Sequence, residues 1–217
     1  MPRVCCNACG NAVASCICKW IYPIYNKTSV VILQHTDEAK KPLGTAKIVS
    51  LCLQNSMLKV GVDFSSDPDL KRLLNCPSHN LSILYPSESA LELHKWKEGN
   101  ASSEEQILSA SLQKTLMVLD GTWRNTRELM SVNAVLQTIP SVKLTPTTKS
   151  NYRIRNAPFD QALSTVEAVS QALNILEPEI STDAMNQCFE NMIDYQISRM
   201  GKSVYYKNYI ESSGQLD

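Results

Sequence analysis

Apolar and polar positions along the chain alternate between two periods, and the switches between them mark out elements. Ser29-Val30-Val31-Ile32-Leu33 is a short β-branched run of the kind that forms a strand buried on both faces. It gives way to the polar loop Gln34-His35-Thr36-Asp37-Glu38. From Gly44 to Gln54 the pattern is helical, with Ile48, Leu51 and Cys52 turned inward. Val60, Val62 and Phe64 keep a period of two and predict a second strand. Leu81 to Tyr85 predicts a third, stopped by Pro86, and Thr115 to Leu119 a fourth, fed by a helix over Gln106 to Leu112.

The last third reads as helical. Ser164-Thr165-Val166-Glu167 has the form of a capping box, in which the serine accepts from the backbone of Glu167 while that glutamate reaches back. Val166, Val169, Leu173 and Leu176 follow at helical spacing, and Pro178 closes the element. A second helix is predicted from Asp183 to Met200, with Met185, Phe189, Ile193, Ile197 and Met200 on one face and Gly201 as its stop. Strands alternating with helices imply an α/β fold with a mostly parallel sheet flanked by helices. Ligands of such sheets sit at the carboxyl ends of the strands, where the loops after Leu33, Tyr85 and Leu119 converge.

Composition sets bounds on this picture. The chain has 217 residues and 43% hydrophobic residues, enough for one α/β domain with a real core. No apolar run is long enough to span a bilayer, and the start Met1-Pro2-Arg3 has no apolar stretch that could serve as a secretory signal. A reducing cytoplasmic setting is therefore expected, where the eight cysteines favour metal ligation or buried thiols over disulfides. The formal net charge is zero, but it is unevenly spread. Residues 1–36 carry Arg3, Lys19 and Lys27 and no acid. Residues 121–159 carry Arg124, Arg127, Lys143, Lys149, Arg153 and Arg155 against Glu128 alone, and an acidic tail follows. A phosphate backbone would meet the first two segments, with Lys19, Lys40, Lys41, Lys143 and Lys149 as candidate contacts.

Two constellations carry chemistry. Cys6-x2-Cys9-x6-Cys16-x-Cys18 supplies four thiolates at spacings that suit one tetrahedral ion, with Cys5 able to replace Cys6 in register. Four thiolates leave no open position, so a zinc ion there would be structural and would serve as the core of a small knuckle over residues 1–22; an iron–sulfur cluster also fits the spacing. The second is Leu119-Asp120-Gly121-Thr122-Trp123-Arg124, set between a strand and a helix. Gly121 permits a tight turn, Asp120 stands at the strand end, and Trp123 offers a flat face to a base. By itself this hexapeptide is also consistent with a helix cap and a packed indole.

The segment Val118 to Arg127 resembles the signature of the DTW-domain family, and further blocks of that family follow the same order along the chain. The cysteines resemble its zinc knuckle, and His35-x-x-Glu38 with Lys41-x-x-x-Thr45-Ala46 resembles a second block. Leu84-Tyr85-Pro86-Ser87 resembles its L-[FY]-P-S loop. Tyr152-Arg153-Ile154-Arg155 with Leu163-Ser164-Thr165-Val166-Glu167-Ala168 resembles its final block. The departures are Thr36, Asn125 and Thr126, none at a position with proposed chemistry.

The resemblance implies a SPOUT-like knotted α/β fold over residues 23–217. It also implies transfer of the 3-amino-3-carboxypropyl group of S-adenosylmethionine to N3 of a uridine in tRNA. Asp120 is the expected base or donor-orienting group, with Thr122 beside it. Leu84, Tyr85, Pro86, Ser87, Leu119, Gly121, Trp123, Arg124, Tyr152, Arg153, Arg155, Ser164, Thr165 and Glu167 are the expected donor-binding set. One of Arg124, Arg153 and Arg155 would hold the donor carboxylate. The partner implied is tRNA, with neither membrane nor obligate protein partner. A SPOUT-like RNA methyltransferase and a non-catalytic zinc-bearing RNA-binding protein are the alternatives.

Overall fold

The computed structural model describes residues 4–41, 44–98, 112–145, 150–154 and 163–211. Six strands form one sheet: β1 (Ser29–Gln34), β2 (Ser56–Val60), β3 (His79–Leu84), β4 (Leu91–Glu92), β5 (Gln113–Asp120) and β6 (Ser141–Lys143). Their order is β2-β1-β5-β3-β6-β4, and every neighbouring pair is parallel. The longest strand, β5, lies between β1 and β3, so its apolar run Leu116-Met117-Val118 is buried on both faces.

Alternation along the strands builds two cores. Val30, Ile32, Leu116 and Val118 face one side and join α2 (Thr45–Cys52), α6 (Thr165–Leu176) and α7 (Asp183–Met200) through Ile48, Val49, Val166, Leu173, Met185 and Phe189. Val31, Leu33, Met117 and Ile83 face the other and meet Leu70 of α3 (Pro68–Leu74) and Leu129 of α5 (Trp123–Val132). A short α1 (Thr36–Ala39) follows β1, and α4 (Leu93–Glu98) packs Leu93 and Trp96 against the first core. The cysteine-rich start belongs to that first core as well, through Cys9 and Ile17, both about fully buried.

The capping box forms as read. Ser164 accepts from the Glu167 backbone at 3.3 Å, and the Glu167 carboxylate accepts from the Ser164 backbone at 2.7 Å. The following helix closes before Pro178, and α7 stops at Gly201, whose φ of 84° no β-carbon favours. The second strand is a correction. It spans Ser56–Val60 rather than Val60 to Phe64, because Asn133 binds the later segment as a loop: its Oδ1 accepts from the Phe64 N–H at 2.7 Å, and its Nδ2 donates to the Val62 carbonyl at 2.7 Å. The loop after Leu33 contains one turn of helix, and the helix expected over Gln106 to Leu112 falls almost wholly outside the described residues. Among the described residues no helix is long and apolar enough to cross a membrane.

Candidate active site at the carboxyl end of the sheet

Asp120 is the last residue of the central strand and only 8% exposed. Register places it opposite Gln34, the last residue of β1. The Gln34 side-chain amide donates to one Asp120 oxygen at 2.8 Å, and the Thr165 hydroxyl donates to the other. Two residues 131 positions apart (165 − 34) are thereby held on one carboxylate. The Asp120 carbonyl also accepts from the His35 N–H at 2.9 Å, which pins the loop after β1 to the turn after β5.

That turn is tight for a steric reason. A β-carbon at Gly121 would stand 2.9 Å from the Asn125 β-carbon and 3.6 Å from that of His35. Thr122 caps α5, its hydroxyl accepting from the Asn125 N–H at 3.2 Å, so this oxygen is engaged in local structure. The N-terminus of α5 therefore opens directly beside Asp120, with Trp123 half-buried and Arg124 exposed at its start. His35 is buried. Its Nδ1 accepts from the Asp37 N–H at 3.1 Å, so in the neutral ring the proton sits on Nε2, which lies 3.5 Å from a Glu128 oxygen without a hydrogen bond of good geometry.

The loop after β3 borders this end from the next strand over. Leu84 ends β3, the Tyr85 N–H donates to Val142 at 3.0 Å, and the Ser87 N–H to the Tyr85 carbonyl at 2.9 Å, while Pro86 is exposed. Leu119 is half-buried against the second core. At the start of α6, Ser164 is buried and Thr165 reaches Asp120. Glu167 lies two residues on, about 200° around the helix axis, and so turns away from Asp120. Its carboxylate gathers the Ser150 hydroxyl (2.8 Å) and the Asn151 N–H (2.6 Å) in addition to Ser164. It lines a polar cleft of about 220 Å³ between α6 and α7, together with Asn151, Gln171, Asn186 and Glu190.

Tyr152 stands edge-on to Phe189 at 5.1 Å, and Arg153 pairs with Asp194 at 2.6 Å. Arg155 lies outside the described residues. The structure thus gathers Asp120, Gly121, Thr122 and Thr165 in one place, sets Tyr85 to Ser87 on the neighbouring strand end, and commits Arg153 and Glu167 to other partners. Gln34 was not singled out by sequence reasoning. Its one local signal is a polar side chain closing an otherwise apolar strand.

At the N-terminus, Cys6, Cys9, Cys16 and Cys18 bring their sulfurs within 4.8 Å of one another. Cys6 lies 3.6 Å from Cys18, and Cys9 lies 3.8 Å from Cys16. A tetrahedron with Zn–S near 2.3 Å has an edge of about 3.8 Å, so the four sulfurs fit one such ion. Cys5 is exposed and outside the group, which assigns the first ligand position to Cys6. Backbone N–H groups of Cys9 and Ala8 lower the Cys6 thiol to about 6, whereas burial, with the neighbouring Cys16, Cys6 and Cys9 thiols, raises Cys18 to about 12. Four clustered thiols cannot all ionise unaided, and a divalent cation relieves that conflict.

Comparison with known proteins bears on both sites. A model of the DTW domain matches residues 3–197. tRNA-uridine aminocarboxypropyltransferase 2 of Macaca fascicularis is 30% identical over 177 residues, covering 79% of this chain and 56% of that protein. The Drosophila melanogaster protein of the same name is 32% identical over 184 residues, covering 81% and 68%. tRNA-uridine aminocarboxypropyltransferase A of Arabidopsis thaliana is 24% identical over 200 residues. The chain spans just over half the length of the macaque relative. No solved structure matches. With nearly its whole length matched, including both the cysteine cluster and the Asp120 turn, the chain belongs to the DTW-domain family.

Proposed function

We propose that this protein transfers the 3-amino-3-carboxypropyl group of S-adenosylmethionine to N3 of a uridine in tRNA. The new bond joins N3 to the methylene carbon next to the sulfonium. The carbon–sulfur bond breaks, its electrons neutralise sulfur, and methylthioadenosine and one proton are released. A sulfonium is already a good electrophile, so the protein's work is alignment and proton removal. The observation that carries this reading is the clamped carboxylate at the end of the central strand, within the block that marks the family.

Asp120 holds a fixed anionic acceptor at the site, since Gln34 and Thr165 leave it little freedom to turn. Donors on both oxygens fix the direction of a carboxylate and make it an anchor. The clamp therefore favours orienting the donor's ammonium group over taking the N3 proton. Thr122 sets the start of α5, whose N–H groups, with Arg124, face the donor carboxylate. Leu84 to Ser87, Leu119, Gly121 and Trp123 border the adenosine. Ser164 and Thr165 fix α6 against Asp120, and Glu167 holds Ser150 and Asn151 alongside.

Residues 1–22 form the knuckle, in which Cys6, Cys9, Cys16 and Cys18 hold Zn2+. The ion supplies order there and leaves chemistry to residues 23–217, a domain of SPOUT-like knotted type. The protein works in the cytoplasm on tRNA and needs no obligate protein partner.

The test is mass spectrometry of nucleosides from unmodified tRNA incubated with protein and S-adenosylmethionine. A uridine heavier by one aminocarboxypropyl group, with methylthioadenosine released, is the expected result. A methylated nucleoside with S-adenosylhomocysteine would replace this reading with methyl transfer, and no product from a full tRNA pool would leave a binding protein.

A further inference from the structure

The cations suited to phosphate by sequence are mostly spent on the protein's own acids. Lys40 pairs with Asp37 at 3.0 Å, Lys41 with Glu38 at 2.7 Å, and Lys143 lies 3.7 Å from Glu92. Lys27 and Arg153 are likewise paired, with Glu179 and Asp194. Arg199, Lys202 and Lys207 differ: all three are exposed, and among the described residues none has a carboxylate partner within 4.0 Å. They fall in Tyr195 to Ile210, a stretch that contains no acid.

Aromatic side chains interleave with these cations. Tyr195 and Arg199 are one turn apart on the same side of α7. Tyr195 meets the Trp20 ring edge-on at 6.5 Å, and its hydroxyl donates to the Ala14 carbonyl of the cysteine-rich knuckle. The Lys19 ammonium lies 4.4 Å over the Trp20 ring. Past the bend at Gly201 the chain continues as α8 (Lys202–Tyr205) and one wider turn (Tyr206–Ile210). Tyr206 is 47% exposed there, and Tyr205 and Tyr209 pair at 5.9 Å. Cationic and aromatic groups thus run from the knuckle, over the last turns of α7, onto a C-terminal helix.

A chain of contacts gives the position of this strip. Thr165, at the start of α6, touches Asp120; Glu167, in the same turn, holds Ser150 and Asn151; and Arg153, two residues further, holds Asp194. Asp194 is thus level with the catalytic end of α6, and α7 runs toward that end. Gly201 lies seven residues beyond, about 10 Å further along a helix rise of 1.5 Å per residue. The strip therefore flanks the catalytic end of the sheet. Lys202 to Ile210 lies outside the span matched by the family, residues 3–197, so it is not part of the shared catalytic framework.

We propose that the strip formed by Lys19, Trp20, Tyr195, Arg199, Lys202, Tyr206 and Lys207 is an anchoring surface for single-stranded RNA, with bases stacking on the rings and phosphates on the cations. Every base offers a π-face and every linkage a negative charge, so an acid-free aromatic and cationic surface suits this partner irrespective of sequence. The inference rests on the proposed tRNA substrate, since it supplies the grip that holds a loop next to Asp120.

The experiment measures fluorescence anisotropy of labelled unmodified tRNA, and of a labelled oligoadenylate without any uridine, against the full chain and its variants. Tyr206→Ala should weaken both RNAs about 5- to 150-fold, the range of one lost base stack, while Tyr206→Phe stays near wild type. The double variant Lys202→Ala/Lys207→Ala should reduce the slope of log K against log salt by about 1 to 2. Neither change should alter S-adenosylmethionine binding by calorimetry or the melting temperature. Variants that bind both RNAs like wild type would overturn the strip while leaving the transfer reaction intact. A wild-type protein that transfers to tRNA but ignores oligoadenylate would also overturn it, as would wild-type binding to neither RNA, which would make the surface one for a protein. Failure of transfer with oligoadenylate still held through the strip would strike the proposed function alone.

Discussion

Replacing Thr165 with valine removes one hydroxyl and almost nothing else. The side chains are nearly isosteric, both are β-branched, and the position is the first of α6, so helix propensity is little changed. What is lost is the hydrogen bond to one oxygen of Asp120, which is 8% exposed and has little water to replace it. Hydrogen bonds to charged groups contribute about 1.5–3 kcal/mol. If the bond serves stability alone, that range lowers the melting temperature of a chain this size by about 3–12 °C at roughly 2–4 °C per kcal/mol. If it also holds the carboxylate in its working orientation, the same range costs about 10- to 150-fold in transfer. The assay is steady-state release of methylthioadenosine, with a melt of each variant in parallel and Thr165→Ser as the control that keeps the hydroxyl. Transfer by Thr165→Val within twofold of Thr165→Ser would refute the clamp as a functional device, whatever the melt showed.

Gly121→Ala should lose most transfer, because the added methyl meets the Asn125 β-carbon at 2.9 Å and must displace the turn that carries Asp120; wild-type kinetics would show that the turn yields freely. Cys5→Ser should retain one zinc per chain by metal analysis and Cys6→Ser should lose it, while equal loss in both would reopen the ligand assignment. Chelation should lower the melting temperature before it lowers S-adenosylmethionine binding. Asp67 caps α3, and the Leu70 N–H, followed by the Lys59 ammonium, holds its carboxyl below the usual carboxylate range. A lowered value in the folded state means full stabilisation above the ordinary, unfolded value, lost as pH falls through the lowered one. Stability curves of wild type and Asp67→Asn should therefore converge on acidification, and a constant gap would deny the linkage.

Much of the fold is written in local pattern. The runs at Val30 to Leu33 and Leu116 to Val118 are apolar at consecutive positions because both faces of those strands are covered. The Ser164–Glu167 cap and the Gly201 stop depend on contacts within a few residues, so neighbouring sequence suffices to read them. The Val60 to Phe64 error has the opposite origin. Asn133, 69 residues from Phe64, binds that segment's backbone, and no window around Val62 contains the information. The start of α3 is also local: Asp67 caps it and Pro68 occupies its first position.

The site divides along the same line. Asp120 and its turn were visible as a hexapeptide and the four cysteines as a spacing. Gln34 acquires its role only when β1 and β5 become neighbours, and Glu167 proves to face a different cleft once the helix phase is known. That Arg199, Lys202 and Lys207 have no carboxylate partner among the described residues is equally a property of the folded surface. Sequence alone gave equal weight to cations that turn out to be neutralised by adjacent acids.

The strand order has a consequence for how the chain is born. Ser29 pairs with Thr115, 86 residues later, and β3 also waits for β5 before it has a partner on that side. At a synthesis rate of about 5–20 residues per second, β1 emerges roughly 4–17 s before the strand that will flank it. During that interval the β1 edge stands open, joined by the β3 edge once His79 has emerged, and such edges recruit other chains. Insertion of β5 then closes the gap between β1 and β3 and brings Asp120 beside Gln34, while Thr165, 45 residues further along, completes the clamp afterwards. Protection of the central strand edges and the first half of the Asp120 clamp thus come in the same step, so synthesis slowed before Thr115 should reduce yield through aggregation.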